Sequence, residues 1–153
     1  MPFVVEKMNK SEILILLKEK LSEKIKNFEI LIAETRASNN ETKSSMGDKY
    51  ETSREMVQQE INNLQRQLNE SLAQQNSIQK LSVDACKEVK FGALVEIDFG
   101  IFYITTSAGD LNFENKKITT ISSESPLAKT IFGKKKGDVF TINNINQTIK
   151  NIW

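Results

Sequence analysis

The sequence contains no histidine. That excludes Ser-His and Cys-His nucleophilic catalysis, histidine-ligated metals and imidazole acid–base chemistry in one step. Its single cysteine, Cys86, leaves no internal disulfide framework and no cysteine-based zinc site. Neither sign of charge prevails: 21 Lys and Arg face 20 Asp and Glu, a net charge of +1. The chain therefore has no global pull toward nucleic acid or anionic lipid. No apolar run reaches the roughly 18–20 residues a membrane-spanning helix needs. The first ten residues lack a basic segment ahead of an apolar stretch and do not resemble a secretory signal. A cytoplasmic protein without membrane association is the expectation.

Glycine and proline are scarce and unevenly placed. Residues 1–80 hold only Gly47 and Pro2, while five glycines and Pro126 lie beyond. Because these residues punctuate structure, the first half is expected to be long helix and the second strands with turns. Charge does not divide the halves, with 12 basic and 12 acidic residues in 1–80 and 9 and 8 in 81–153. Only 39% of the 153 residues are hydrophobic, which fits a small core joined to something elongated and solvated.

In the first half the apolar residues recur at steps of three and four. Leu14, Leu17, Leu21, Ile25, Phe28 and Ile32 form one stripe, and Val57, Ile61, Leu64, Leu68 and Leu72 a second that Ile78 extends. Both stripes are narrow, as in a coiled-coil seam. Ser11 followed by Glu12 marks a start for the first helix. Between the stripes, residues 34–55 are almost wholly polar. The expected assembly is an antiparallel helical hairpin over 1–80, with its tip near 37–50. The stripes themselves need no function beyond holding the two helices together.

From about residue 81 the period changes to two. Phe91, Ala93, Val95, Ile97 and Phe99 alternate with Gly92, Leu94, Glu96 and Asp98, and runs at 101–104, 118–121, 139–142 and 149–153 also read as strands. Ser125 is suited to cap a helix that Pro126 opens and Gly133 stops. Residues 81–153 thus form a small antiparallel β domain with one short helix, and the whole chain is of the α+β class. Trp153 and the phenylalanines are expected in its core. Cys86, near the junction of the two halves, is expected to be an inert thiol.

Two stretches resemble the Gre-type (GreA/GreB) family of bacterial transcription elongation factors. The segment Ser122-Ser123-Glu124-Ser125-Pro126-Leu127, continuing through Phe132-Gly133-Lys134 to Gly137-Asp138-Val139, is similar to that family's Ile-Ser-x-x-Ser-Pro-Leu-Gly, Leu-Leu-Gly-Lys and Gly-Asp-x-Val run. Val89-Lys90-Phe91-Gly92-Ala93 and Ile149-Lys150-Asn151-Ile152 resemble the opening and closing sequences of the same domain. Gly47-Asp48-Lys49-Tyr50-Glu51 resembles the family's tip signature, Gly-Asp-Leu-Ser-Glu.

The resemblance implies an antiparallel coiled coil followed by an FKBP-like domain. It implies RNA polymerase as partner, with the hairpin entering the secondary channel and reaching the RNA 3′ end. Asp48 and Glu51 would be the tip acids, holding Mg²⁺ shared with the polymerase active centre. Ser125, Pro126 and Leu127 would face the polymerase. The chain would be no enzyme by itself, but a monomeric activator of the polymerase's own nuclease, with no intrinsic cofactor.

The residues also admit plainer readings. Asp48 and Glu51, three apart, fit a capping box as well as a metal pair. Arg36, Lys43, Lys49 and Arg54 around the turn could meet RNA phosphates or channel acids, or form a solvated loop of mixed sign. Lys134–Lys136 reads as an exposed turn. A non-cleaving channel regulator, a prolyl isomerase and a plain coiled-coil dimer are the competing functions.

Overall fold

The computed structural model describes residues 8–42 and 49–153, with side chains described for 8–38 and 53–153. The predicted α+β class is found. Two long helices, α1 (Lys10–Thr42) and α2 (Lys49–Ser77), precede seven strands and one short helix. At 1.5 Å per residue, α1 is about 50 Å long and α2 about 43 Å.

The chain divides into two compact units, residues 20–76 and residues 1–19 with 77–153. In the first, α2 runs back along α1. Ile25 and Ile32 bury against Ile61, Leu64 and Leu68, with Phe28 and Val57 partly buried beside them. The Gln75 side chain donates to Ser22 Oγ at 3.3 Å across the pair. The seam departs from the expected stripe at one place. Leu72 is exposed, and Ser71 is buried in its stead. The positions 57, 61, 64, 68 and 71 keep the alternation of four- and three-residue steps that holds a seam against a partner helix. Ser71 is tolerated there because its hydroxyl donates to the Gln67 carbonyl one turn back, at 3.0 Å.

The second unit opens with the first turns of α1. The start of that helix is set by Asn9 and not by Ser11: Asn9 Oδ1 accepts the Glu12 amide at 3.1 Å, as an N-cap does for the third helical residue. The strands are β1 (Leu94–Ile97), β2 (Gly100–Thr105), β3 (Gly109–Phe113), β4 (Lys116–Ser122), β5 (Val139–Ile142), β6 (Ile145–Thr148) and β7 (Asn151–Ile152). Helix α3 (Pro126–Ile131) follows β4. Five strands form a sheet in the order β3-β4-β2-β1-β7, and β5 and β6 make a separate hairpin.

Pairing is antiparallel except at the centre, where β2 and β4 run parallel with Tyr103 opposite Thr120. The β3–β4 hairpin folds outward and leaves β3 at the edge, which turns β4 to the direction of β2. Glu114-Asn115 and Asn143-Asn144 form two of the tight hairpin turns, all four residues with positive φ. Two consecutive left-handed residues match the twist of the flanking strands. One face of the sheet, carrying Val95, Ile97 and Ile104, packs with Ala128 and Ile131 of α3 and with Phe140 and Ile149. The other is apolar too: Leu94, Ile101, Tyr103, Leu111, Phe113 and Ile118 are all buried.

Candidate functional site

Helix α3 is built as its residues dictate. Ser125 adopts an extended backbone, and its Oγ accepts the Ala128 amide at 3.2 Å. Pro126 occupies the first helical position, where its missing N–H costs nothing. Thr130 Oγ1 donates to the Pro126 carbonyl at 2.8 Å, and Lys129 pairs with Glu124 at 3.5 Å on the surface. Of the three residues singled out for docking, Pro126 is exposed, while Leu127 packs partly against the core and Ser125 is half-buried by its capping role.

Phe132 then stands 62% exposed at the end of the helix. Phe91 and Phe99 are likewise exposed, contrary to the expectation that the aromatics fill the core; Phe113 and Phe140 do. Gly133, at φ +80°, turns the chain so that its amide donates to the Val89 carbonyl, while the Val89 amide donates to Lys134, both at 2.8 Å. The Lys134–Lys136 turn is an ordered loop. The Lys135 amide donates to Asp138 Oδ2 and the Gly137 amide to the Ile149 carbonyl, each at 2.8 Å. Lys135 and Lys136 point to solvent. Pro126, Phe132 and these lysines thus give α3 and its exit turn an apolar and basic outer surface.

The residues proposed for the hairpin tip fall differently. Arg36 and Arg54 are exposed on α1 and α2. Lys49 and Glu51 lie in the first turn of α2, with side chains outside the described residues; Asp48 and Lys43 lie outside them altogether. Among the described residues no group of three or more acidic, cysteine or histidine side chains could hold a metal ion. The fit of magnesium therefore rests on the chemistry of Asp48 and Glu51 as two carboxylates three residues apart.

A second cluster escaped the sequence. Lys10 is 5% exposed, and its ammonium donates to the carbonyls of Asp84 at 2.8 Å and Trp153 at 3.0 Å. Its third neighbour is Cys86 Sγ at 3.8 Å. The thiol therefore has a cation beside it, brought from 76 residues away. Burial pushes the Lys10 pKa below the usual lysine range, an effect opposed by Cys86 and Asp84. Cys86 lines a cleft of about 260 Å³ with Lys80, Ser82, Asp84, Lys90 and Phe91.

No protein-family model and no curated protein sequence matches the chain. Solved structures do. GreA factor homolog 1 (Gfh1) of Thermus thermophilus is 16% identical with a TM-score of 0.37, covering 89% of this chain and 94% of that one. Gfh1 of Thermus aquaticus is 18% identical with a TM-score of 0.34, covering 88% and 92%.

Proposed function

We propose that the chain is a Gre-type transcription elongation factor. It binds bacterial RNA polymerase, its paired helices enter the secondary channel, and its tip acids stimulate the polymerase's own cleavage of backtracked RNA. The observation that carries this reading is one segment. Ser125-Pro126-Leu127 through Gly137-Asp138 resembles the family sequence and folds as a capped helix and pinned turn with Pro126, Phe132, Lys135 and Lys136 outward. An antiparallel helix pair in the same chain adds support.

The chemistry asks little of the factor. Phosphodiester hydrolysis gains from two divalent ions about 4 Å apart, one at the attacking and one at the leaving oxygen. Asp48 and Glu51 supply oxygen ligands of the kind magnesium prefers, and would hold the second ion beside the one the polymerase keeps. They would also orient the attacking water. No histidine is needed, in agreement with the composition.

A second reading is favoured by the tip sequence. Lys49-Tyr50 stands where the family has Leu-Ser, and Thr52-Ser53 where it has Asn-Ala. A factor so altered can occupy the channel and restrain transcription without promoting cleavage.

One experiment tests both. The chain is offered to bacterial core RNA polymerase, and a backtracked transcript is then incubated with Mg²⁺. Binding with faster cleavage, lost in the Asp48→Asn/Glu51→Gln double variant while binding persists, is the expected result. Binding without cleavage selects the second reading, and absence of binding overturns both.

A further inference from the structure

We propose that the cleft between residues 80–86 and the Lys90–Ala93 turn binds one unpaired nucleotide of a single-stranded nucleic acid, with its base against Phe91 and its flanking phosphates at Lys80 and Lys90. The site belongs to the strand-bearing unit and not to the helix pair, and it does not depend on polymerase binding.

The cleft has two pinned walls. One is the turn. The Ala93 amide donates to the Lys90 carbonyl at 2.9 Å, and Gly92 takes φ +92°, as the third residue of a type II turn does. The Gly92 amide also donates to the Ile104 carbonyl at 2.7 Å, and a Cβ there would stand 3.1 Å from Leu81 Cδ1. Phe91, at the corner of this turn, is 42% exposed and lines the cleft. The other wall is held by the Ser82 hydroxyl, which accepts the Asp84 amide at 3.1 Å, and by Lys10, whose ammonium donates to the Asp84 carbonyl at 2.8 Å. A ring on so rigid a corner loses little freedom when a flat partner stacks on it.

The charge is local. Lys80 and Lys90 line the cleft and are exposed, and the Lys10 ammonium stands 3.8 Å from the Sγ of Cys86, another lining residue. Three cations thus accompany one acid, Asp84, in a chain whose net charge is only +1. That excess calls for an anionic ligand, and the aromatic wall for a flat one. A nucleotide is both. At about 260 Å³ the cleft has room for a single base and none for a duplex. Asp84 favours a nucleotide over an acidic peptide, because a carboxylate accepts from a base's exocyclic amino group and repels a glutamate-rich chain.

The test is fluorescence anisotropy of a short labelled oligocytidine titrated with the full chain at about 50 and 200 mM salt. Binding is expected, weakening with salt at a log–log slope of about −1.4 for two phosphate contacts. Phe91→Ala should weaken binding about tenfold with the slope unchanged, and Phe91→Trp should retain it. Lys80→Gln and Lys90→Gln should each weaken binding and bring the slope to about −0.7. All three positions are at the surface, and unchanged circular dichroism shows that each variant folds. No binding at the lower salt, or binding unchanged in Phe91→Ala or in both lysine variants, overturns the proposal. So does equally tight binding of free cytidine monophosphate or of polyglutamate, which would make the cleft a small-anion or an acidic-peptide site. No polymerase is present in the assay, so its failure leaves the polymerase reading untouched.

Discussion

The Thr120 hydroxyl accepts the buried Ala108 amide at 2.9 Å and donates to the Gly109 carbonyl at 2.6 Å. One side chain on β4 thereby closes the connection that carries the chain from β2 out to the edge strand. Thr120→Val preserves the shape and removes both bonds, leaving the Ala108 N–H without its acceptor. The variant should lose about 1–3 kcal/mol, whereas Thr120→Ser, which keeps the hydroxyl, should lose less. Urea denaturation of the three proteins measures it; coincident midpoints for Thr120→Val and wild type would show the hydroxyl to be dispensable.

The helix pair offers a comparison of two leucines four residues apart. Leu68 is buried among Ile25, Ile61 and Leu64, while Leu72 is 41% exposed. Leu68→Ala should cost about 2–4 kcal/mol, from lost transfer energy and the cavity left behind. Leu72→Ala should cost under about 1 kcal/mol. Thermal unfolding followed by circular dichroism distinguishes them, and the reverse order would place the seam on the wrong face of α2.

Tyr103 makes stability depend on alkaline pH. Its pKa is raised from 10.0 to about 12 in the folded chain. Below pH 10 both states hold the phenol proton and the group is neutral in the balance. Between pH 10 and 12 the unfolded chain releases its proton first, so unfolding becomes progressively favoured. Wild type should therefore lose stability over that window by about 2–3 kcal/mol relative to Tyr103→Phe. At neutral pH the variant should be at least as stable as wild type, because the hydroxyl it removes has no partner. Parallel denaturation curves at pH 8 and pH 11 check both statements. A pH-independent difference would contradict the first.

Ser125→Ala removes the N-cap of α3 and should destabilise the chain by about 1 kcal/mol, with Ser125→Asp restoring most of it. The same pair separates capping from docking. If the aspartate variant recovers stability but binds polymerase poorly, Ser125 itself lies in the contact. Binding that follows stability alone would assign it only the cap.

The long helices were legible because seam residues such as Ile25, Ile32, Ile61 and Leu64 repeat at the helical period and contact depends on that period alone. Ser71 was not, because a buried serine carries no apolar signal; only the heptad rhythm marks its place. Helix α3 was read correctly through Ser125, Pro126 and Gly133, whose roles are local and chemical. Strand β3 was missed because Gly109–Phe113 offers just two apolar residues, although Glu114-Asn115 and Asn143-Asn144 signal tight hairpins. The exposure of Phe132 and the meeting of Lys10 with Cys86 are set by tertiary placement, which no local pattern encodes. Asp48 and the side chain of Glu51 lie outside the described residues, so the candidate tip rests on sequence alone.

The compact unit holding the β strands is not contiguous in the chain: it comprises residues 1–19 and 77–153. The paired helices of residues 20–76 are thus an insertion, leaving one fold after Glu19 and rejoining it at Ser77. Ser22 and Gln75 lie within hydrogen-bonding distance, so the two junctions are close. Excising the intervening rod and splicing the ends with a short linker should yield a freestanding miniature, whereas a fragment cut simply at residue 81 forfeits Lys10 and with it the clasp on the carboxyl-terminal strand.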